Sequence, residues 1–163
     1  MNLVKYLVIC CAFIVLSCTE KQAIDNVDAQ LAEQFRIAIN VNDIKTLANM
    51  IQLPFTVNEQ LWTTATDGYG FVPGERKITR IDKKDELITF LKVFVPGVGI
   101  EGEQANFVSA NEYDNFKIEL ADSIDDWRNL KTYQFLRGNG DVEHIVLLGI
   151  QARSHKVKAM YLN

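Results

Sequence analysis

His144 is the residue of this chain best suited to acid–base work, because imidazole changes charge near neutrality and only two histidines are present. It would need a companion carboxylate, for which Asp67 and Asp126 are the candidates. Asp141-Val142-Glu143-His144 also brings metal-ligand types together. On a strand, however, Glu143 and His144 point to opposite faces, and His155 falls in a turn, so no metal centre is expected. Gly97-Val98-Gly99-Ile100-Glu101-Gly102 spells the G-x-G-x-x-G of dinucleotide loops, with Glu119 near the spacing of a ribose carboxylate. Such a loop works where a strand enters and a helix leaves, so that backbone amides face the pyrophosphate. Here a helical pattern enters and none leaves, and Glu101 and Glu103 would repel phosphate, so no cofactor is expected. Ser109, Ser123 and Ser154 stand near no evident base, and G-x-S-x-G does not occur. Ser123-Ile124-Asp125-Asp126-Trp127 reads as a capped turn.

Binding needs less than catalysis, and the aromatic residues supply it. Trp62 and Tyr69 flank a Gly-rich tip, and Tyr133 and Phe135 share one face of a strand. With His144 they form the candidate lining of a ligand pocket, an apolar wall with one titratable group.

The elements that would carry these residues follow from periodicity. Leu31, Phe35, Ala38 and Ile39 recur at helical spacing after Asp28, which is expected to cap the helix. Asn42-Asp43 breaks the pattern and caps a second helix carrying Ile44, Leu47, Ala48 and Ile51, with Pro54 as its stop. Residues 54–80 read as two strands joined by a long Gly-rich turn. A third helix starts at Asp82, buries Leu87, Ile88, Leu91 and Phe94, and ends at Pro96-Gly97. Alternation then predicts strands over residues 116–120, 130–137, 142–153 and 156–162, the last three as an antiparallel meander. Along the third of these, His144, Val146, Leu148, Ile150 and Ala152 form the face turned to the helices. Helices first and a meander last predict an α+β layer fold.

The N-terminus carries a different signal. Lys5 is followed by an unbroken apolar run from Tyr6 to Leu16, and Thr19, Glu20 and Lys21 come directly after Cys18. The run is too short for a membrane span, which takes about 20 apolar residues, and has the anatomy of a secretion signal. Val15-Leu16-Ser17-Cys18 resembles the bacterial lipobox, in which the cysteine is acylated and becomes the first residue of the mature chain. That resemblance implies a signal peptide over residues 1–17, lipidation at Cys18, and attachment to the cell envelope. Thr19 in the following position favours the outer membrane. Cys10 and Cys11 would leave with the signal peptide, so no disulfide is expected. Residues 18–27 read as a polar tether and 28–163 as one domain. A net charge of −4 without a Lys/Arg cluster offers no footprint for nucleic acid.

Within the domain, Ala38-Ile39-Asn40-Val41-Asn42-Asp43 with Leu47-Ala48, Pro54-Phe55, Asp85-Glu86-Leu87 with Phe90-Leu91, and the closing Lys156 to Tyr161 resemble the NTF2-like superfamily. The resemblance implies a cone of N-terminal helices packed on a curved antiparallel sheet, a cavity at its open end, and dimerisation through the outer sheet face. It implies no one reaction. Binding of a small molecule or an envelope protein, without catalysis, is the leading expectation. The alternatives are a lyase or isomerase using a pocket His or Asp, and a structural module of an envelope assembly.

Overall fold

The computed structural model describes residues 27–66, 68–97, 106–113, 127, 129–137 and 146–163. Helix α1 covers residues 27–40 and buries Asp28, Ala32, Phe35, Ala38 and Ile39, a stripe at the helical repeat. It ends in a Schellman-type turn. Asn42 takes a left-handed φ of 56°, its N–H donates to the Ile39 carbonyl at 3.0 Å, and Asp43 N–H donates to the Ala38 carbonyl at 2.9 Å. Asp43 then caps α2, Ile44–Met50, its Oδ1 accepting from Thr46 N–H at 3.0 Å. One dipeptide thus stops the first helix and starts the second.

Strand β1, Ile51–Thr64, follows α2 without a loop, so Ile51 is a strand residue and Pro54 lies inside the strand rather than stopping the helix. Proline has no N–H for the ladder, and its stretch is where pairing of β1 with the last strand slips, from Ile51↔Val157 to Thr56↔Ala159. The hairpin partner β2 is Phe71–Ile81, reached through a turn in which Gly68 and Gly70 hold φ of 77° and 82°, values that suit only glycine without strain. Helix α3, Lys84–Gly97, has Asp85 and Glu86 favourably placed in its first turn and buries Leu87, Leu91, Phe94 and Val95. Pro96 sits within its last turn.

The remaining strands are β3, Phe107–Glu112; β4, Leu130–Arg137; β5, Val146–Gln151; and β6, Lys156–Leu162. Sheet order is β2-β1-β6-β5-β4-β3. The meander β4-β5-β6 is antiparallel, as the alternation predicts, but β1 lies parallel to β6. The sheet is therefore mixed, not antiparallel throughout. The pairing of β1 with β6 joins segments some hundred residues apart, and no local pattern encodes its direction. Strand β3 is a further difference, a short edge strand whose alternation is too brief to stand out. Asn40 of α1 pins it, with Nδ2 donating to the Phe107 carbonyl at 2.8 Å and Oδ1 accepting from Phe107 N–H at 3.1 Å. The predicted strand over 116–120 lies outside the described residues.

The three helices among the described residues share one face of the sheet, where Phe35, Leu47, Leu91 and Phe94 meet Phe55, Val57, Tyr133, Phe135, Val146, Leu148, Ile150, Val157 and Met160. The other face has its own smaller cluster of Trp127, Leu130, Leu147, Ala159 and Tyr161. Gly149 makes room for it: a Cβ there would lie 2.7 Å from a Leu130 methyl and 3.0 Å from the Trp127 ring. The described residues of both clusters lie between Leu31 and Leu162, so a chain beginning at residue 19 keeps all of them.

Candidate functional site

Beside the last turns of α3 the described residues enclose a cavity of about 580 Å³. Val57, Glu59, Gln60 and Trp62 of β1, Lys77 and Thr79 of β2, Val146 of β5, and Leu162 of β6 with Asn163 form its sheet side. Phe90, Val93, Phe94 and Gly97 of α3 form its roof. Phe90 stacks on Phe94 at 5.4 Å and tilts against Phe55 at 6.2 Å, which fixes the roof over the core. A shallower recess of about 460 Å³ on the other side of Phe90 shares Thr79 with it.

Polar groups gather on one side of the cavity and are engaged with one another. Trp62 Nε1 donates to Asn163 Oδ1 at 2.7 Å, and Gln60 Nε2 donates to the carbonyls of Leu61 and Gly74 at 3.0 Å each. Lys77 Nζ stands 3.5 Å from Glu59 Oε2, with both side chains part-exposed. In water such a pair contributes little stability, about 0–1 kcal/mol, and both charges stay available to a ligand. Val57, Phe94, Val146 and Leu162 carry no side-chain polar atom.

Of the residues singled out from the sequence, Trp62 lines this cavity and is 45% exposed. Tyr133 and Phe135 lie in the packed interior, 1% and 2% exposed. Phe135 meets Phe35 and Phe107 at ring distances of 6.3 and 5.5 Å, so α1 and β3 occupy the space a ligand would need. Tyr69 is at the hairpin turn, 87% exposed and not in the cavity lining. His144, Asp67, Asp126 and Cys18 lie outside the described residues, as does the G-x-G-x-x-G loop beyond Gly97. Among the described residues no three His, Cys, Asp or Glu side chains gather as a metal site.

Among the cavity residues that sequence reasoning missed are Glu59, Lys77, Phe90, Val146 and Leu162. Periodicity places each on a face, but the convergence of four strands and a helix on one space is set by sheet order. A second constellation was equally hidden. Asp28, fully buried, does not cap α1; its Oδ1 accepts from His155 Nδ1 at 2.7 Å. His155 has a left-handed φ of 47° in the turn between β5 and β6. Beside it Ser154 Oγ donates to Gln52 Oε1 at 2.7 Å, and Lys156 Nζ donates to the Asn49 carbonyl at 2.8 Å. These contacts tie α1, α2, β1 and β6 together at the end of the sheet opposite the cavity.

Two electrostatic features lie on the helices. Hydrogen bonding from Arg36 holds the Glu33 carboxyl below the usual range, and the same bond raises the guanidinium. Hydrogen bonds from the Thr46 hydroxyl and amide lower Asp43. Compared with protein-family models and with curated proteins, the chain matches none.

Proposed function

We propose that this is a lipid-anchored protein of the bacterial cell envelope, held through acylated Cys18, whose NTF2-like domain binds a small molecule in the cavity between α3 and the sheet without catalysing its conversion. The cavity carries this reading. It has the size of a ligand site, mostly apolar walls and a few polar groups on one side. Among the described residues, three helices on one face of an open, mixed six-stranded sheet make an α+β layer fold in keeping with the NTF2-like expectation. Among the described residues no helix is long and apolar enough to cross a membrane, so membrane attachment rests on the lipobox alone.

Two experiments test the two halves of the proposal. Metabolic labelling with a fatty acid should mark the wild-type chain and not Cys18→Ser; a labelled Cys18→Ser chain, or a mature protein starting at another residue, would refute lipidation. Leu162→Trp fills the cavity from the sheet side and should abolish saturable binding of small apolar probes while unfolding stays cooperative. Unchanged binding in that variant would remove the cavity as the site.

The β1–β2 hairpin favours a second reading. Past the Glu59↔Leu162 pair it leaves the sheet as a two-stranded arm, with Tyr69 and Phe71 87% and 73% exposed. Exposed aromatic residues on a projecting arm fit an assembly module. Under this reading Phe71→Ser lowers the oligomeric mass seen by sedimentation, and an unchanged monomer in both forms discards self-assembly.

A further inference from the structure

Strand order gives the cavity a shape and a polarity. Its floor runs across four neighbouring strands, from Lys77 on β2 through Val57 and Glu59 on β1 and Leu162 on β6 to Val146 on β5. Neighbouring strands are about 4.8 Å apart, so this trough is ~14 Å long. The two ends differ in chemistry. At the β2 end stand a carboxylate and an ammonium group 3.5 Å apart and part-exposed; at the β5 end stands Val146, 2% exposed. The described buried side chains with unpartnered polar atoms on Asp28 and Asn58 are not among the lining residues. Among the described lining residues Val146 offers no polar side chain, so a ligand group needing hydrogen bonds would lose water against it without gaining a bond from it, whereas a hydrocarbon loses nothing.

We infer that the trough holds a single-chain amphipath, its hydrocarbon tail pointing toward Val146 and a zwitterionic headgroup resting on the Glu59–Lys77 pair. This rests on the proposal that the cavity binds a small molecule, and adds the ligand's class and direction. A zwitterion meets both charges of the pair, while an anionic head is opposed by Glu59 and a cationic one by Lys77. A tail of roughly ten carbons, at ordinary C–C bond lengths, spans the trough.

The test is a chain-length series of alkylphosphocholines from six to fourteen carbons, each below its micelle threshold, titrated calorimetrically into residues 19–163. Each added methylene should tighten binding about fourfold until the tail reaches Val146, at roughly ten carbons, and change it little thereafter. Val146→Phe should move that plateau to shorter chains; where this variant unfolds more than a few degrees early, Phe94→Ala serves instead and should move it to longer ones. Lys77→Gln and Glu59→Gln should each weaken decylphosphocholine several-fold and decyl glucoside hardly at all. Affinity independent of chain length, a plateau that both wall variants leave in place, or equal binding of the glucoside and the phosphocholine overturns the inference. Naphthalene bound tighter than every alkyl chain keeps the cavity as a site and overturns the amphipath, whereas no saturable binding by any probe removes both.

Discussion

The two ends of the sheet use the same strands in opposite ways. Where β1 and β6 begin, side chains from four elements close on one another: Asp28 with His155, Gln52 with Ser154, and Lys156 with the Asn49 carbonyl. Where the same strands end, β1 continues into the arm, and Val57, Glu59 and Leu162 line the cavity under the last turns of α3. Polar contacts between elements close one end, and at the other the core residues Val57, Phe94 and Val146 also line the cavity.

The largest difference in stability is expected between two aromatic truncations, one in the packed interior and one at the cavity. Tyr133→Ala should cost about 3–5 kcal/mol, because a fully packed ring leaves a void. Trp62→Ala, at the cavity mouth, should cost less than about 2 kcal/mol. Urea unfolding measures both, and similar losses would mean that the cavity end is packed like the interior.

At the closed end, His155→Ala leaves the Asp28 carboxylate buried without its donor and should cost about 1.5–3 kcal/mol, the range for hydrogen bonds to charged groups. If His155→Ala unfolds at the wild-type urea midpoint, the closed end is not held by this contact. On the outer face, Gly149→Ala drives a methyl into Leu130 and Trp127 and should cost about 1–3 kcal/mol, the range for overpacking. Carried out in a Trp62→Phe background, the same change should alter the emission of Trp127; an unaltered spectrum would show that the indole does not lie over Gly149.

The smallest effect belongs to the α2 cap. Asp43 is lowered in the folded chain by the Thr46 hydroxyl, so its contribution is present above the unfolded carboxylate pKa and is lost as pH falls through the lower folded value. The gap in thermal midpoint between wild type and Asp43→Ala should accordingly narrow on acidification through that window and stay constant above it. A gap that widens in acid would reverse the assignment.

Several elements could be read before folding was considered. The runs Leu130–Arg137 and Lys156–Leu162 stand between turn signals, and both are strands with those bounds. Asn42-Asp43 marks the break between α1 and α2, because an asparagine tolerates left-handed backbone and an aspartate caps. Pro54 misled because a proline after a helical pattern usually ends it, whereas here the helix has already given way to β1. Trp62 lines the cavity, while Tyr133 and Phe135 share one strand face and lie in the packed interior, Phe135 against Phe35 of α1 and Phe107 of β3.

The sequence by itself determined the α+β class, most element positions, and which face of each strand is apolar, since these depend on periods of two and 3.6 residues along the chain. Only the tertiary structure decided that β1 lies parallel to β6, that Asp28 meets His155 across 127 positions, and that Glu59 and Lys77 share a trough with Val146. The reason is physical: burial periodicity is a local property of the chain, whereas the direction of a strand pair and the space left beside a helix depend on distant segments arriving at the same place.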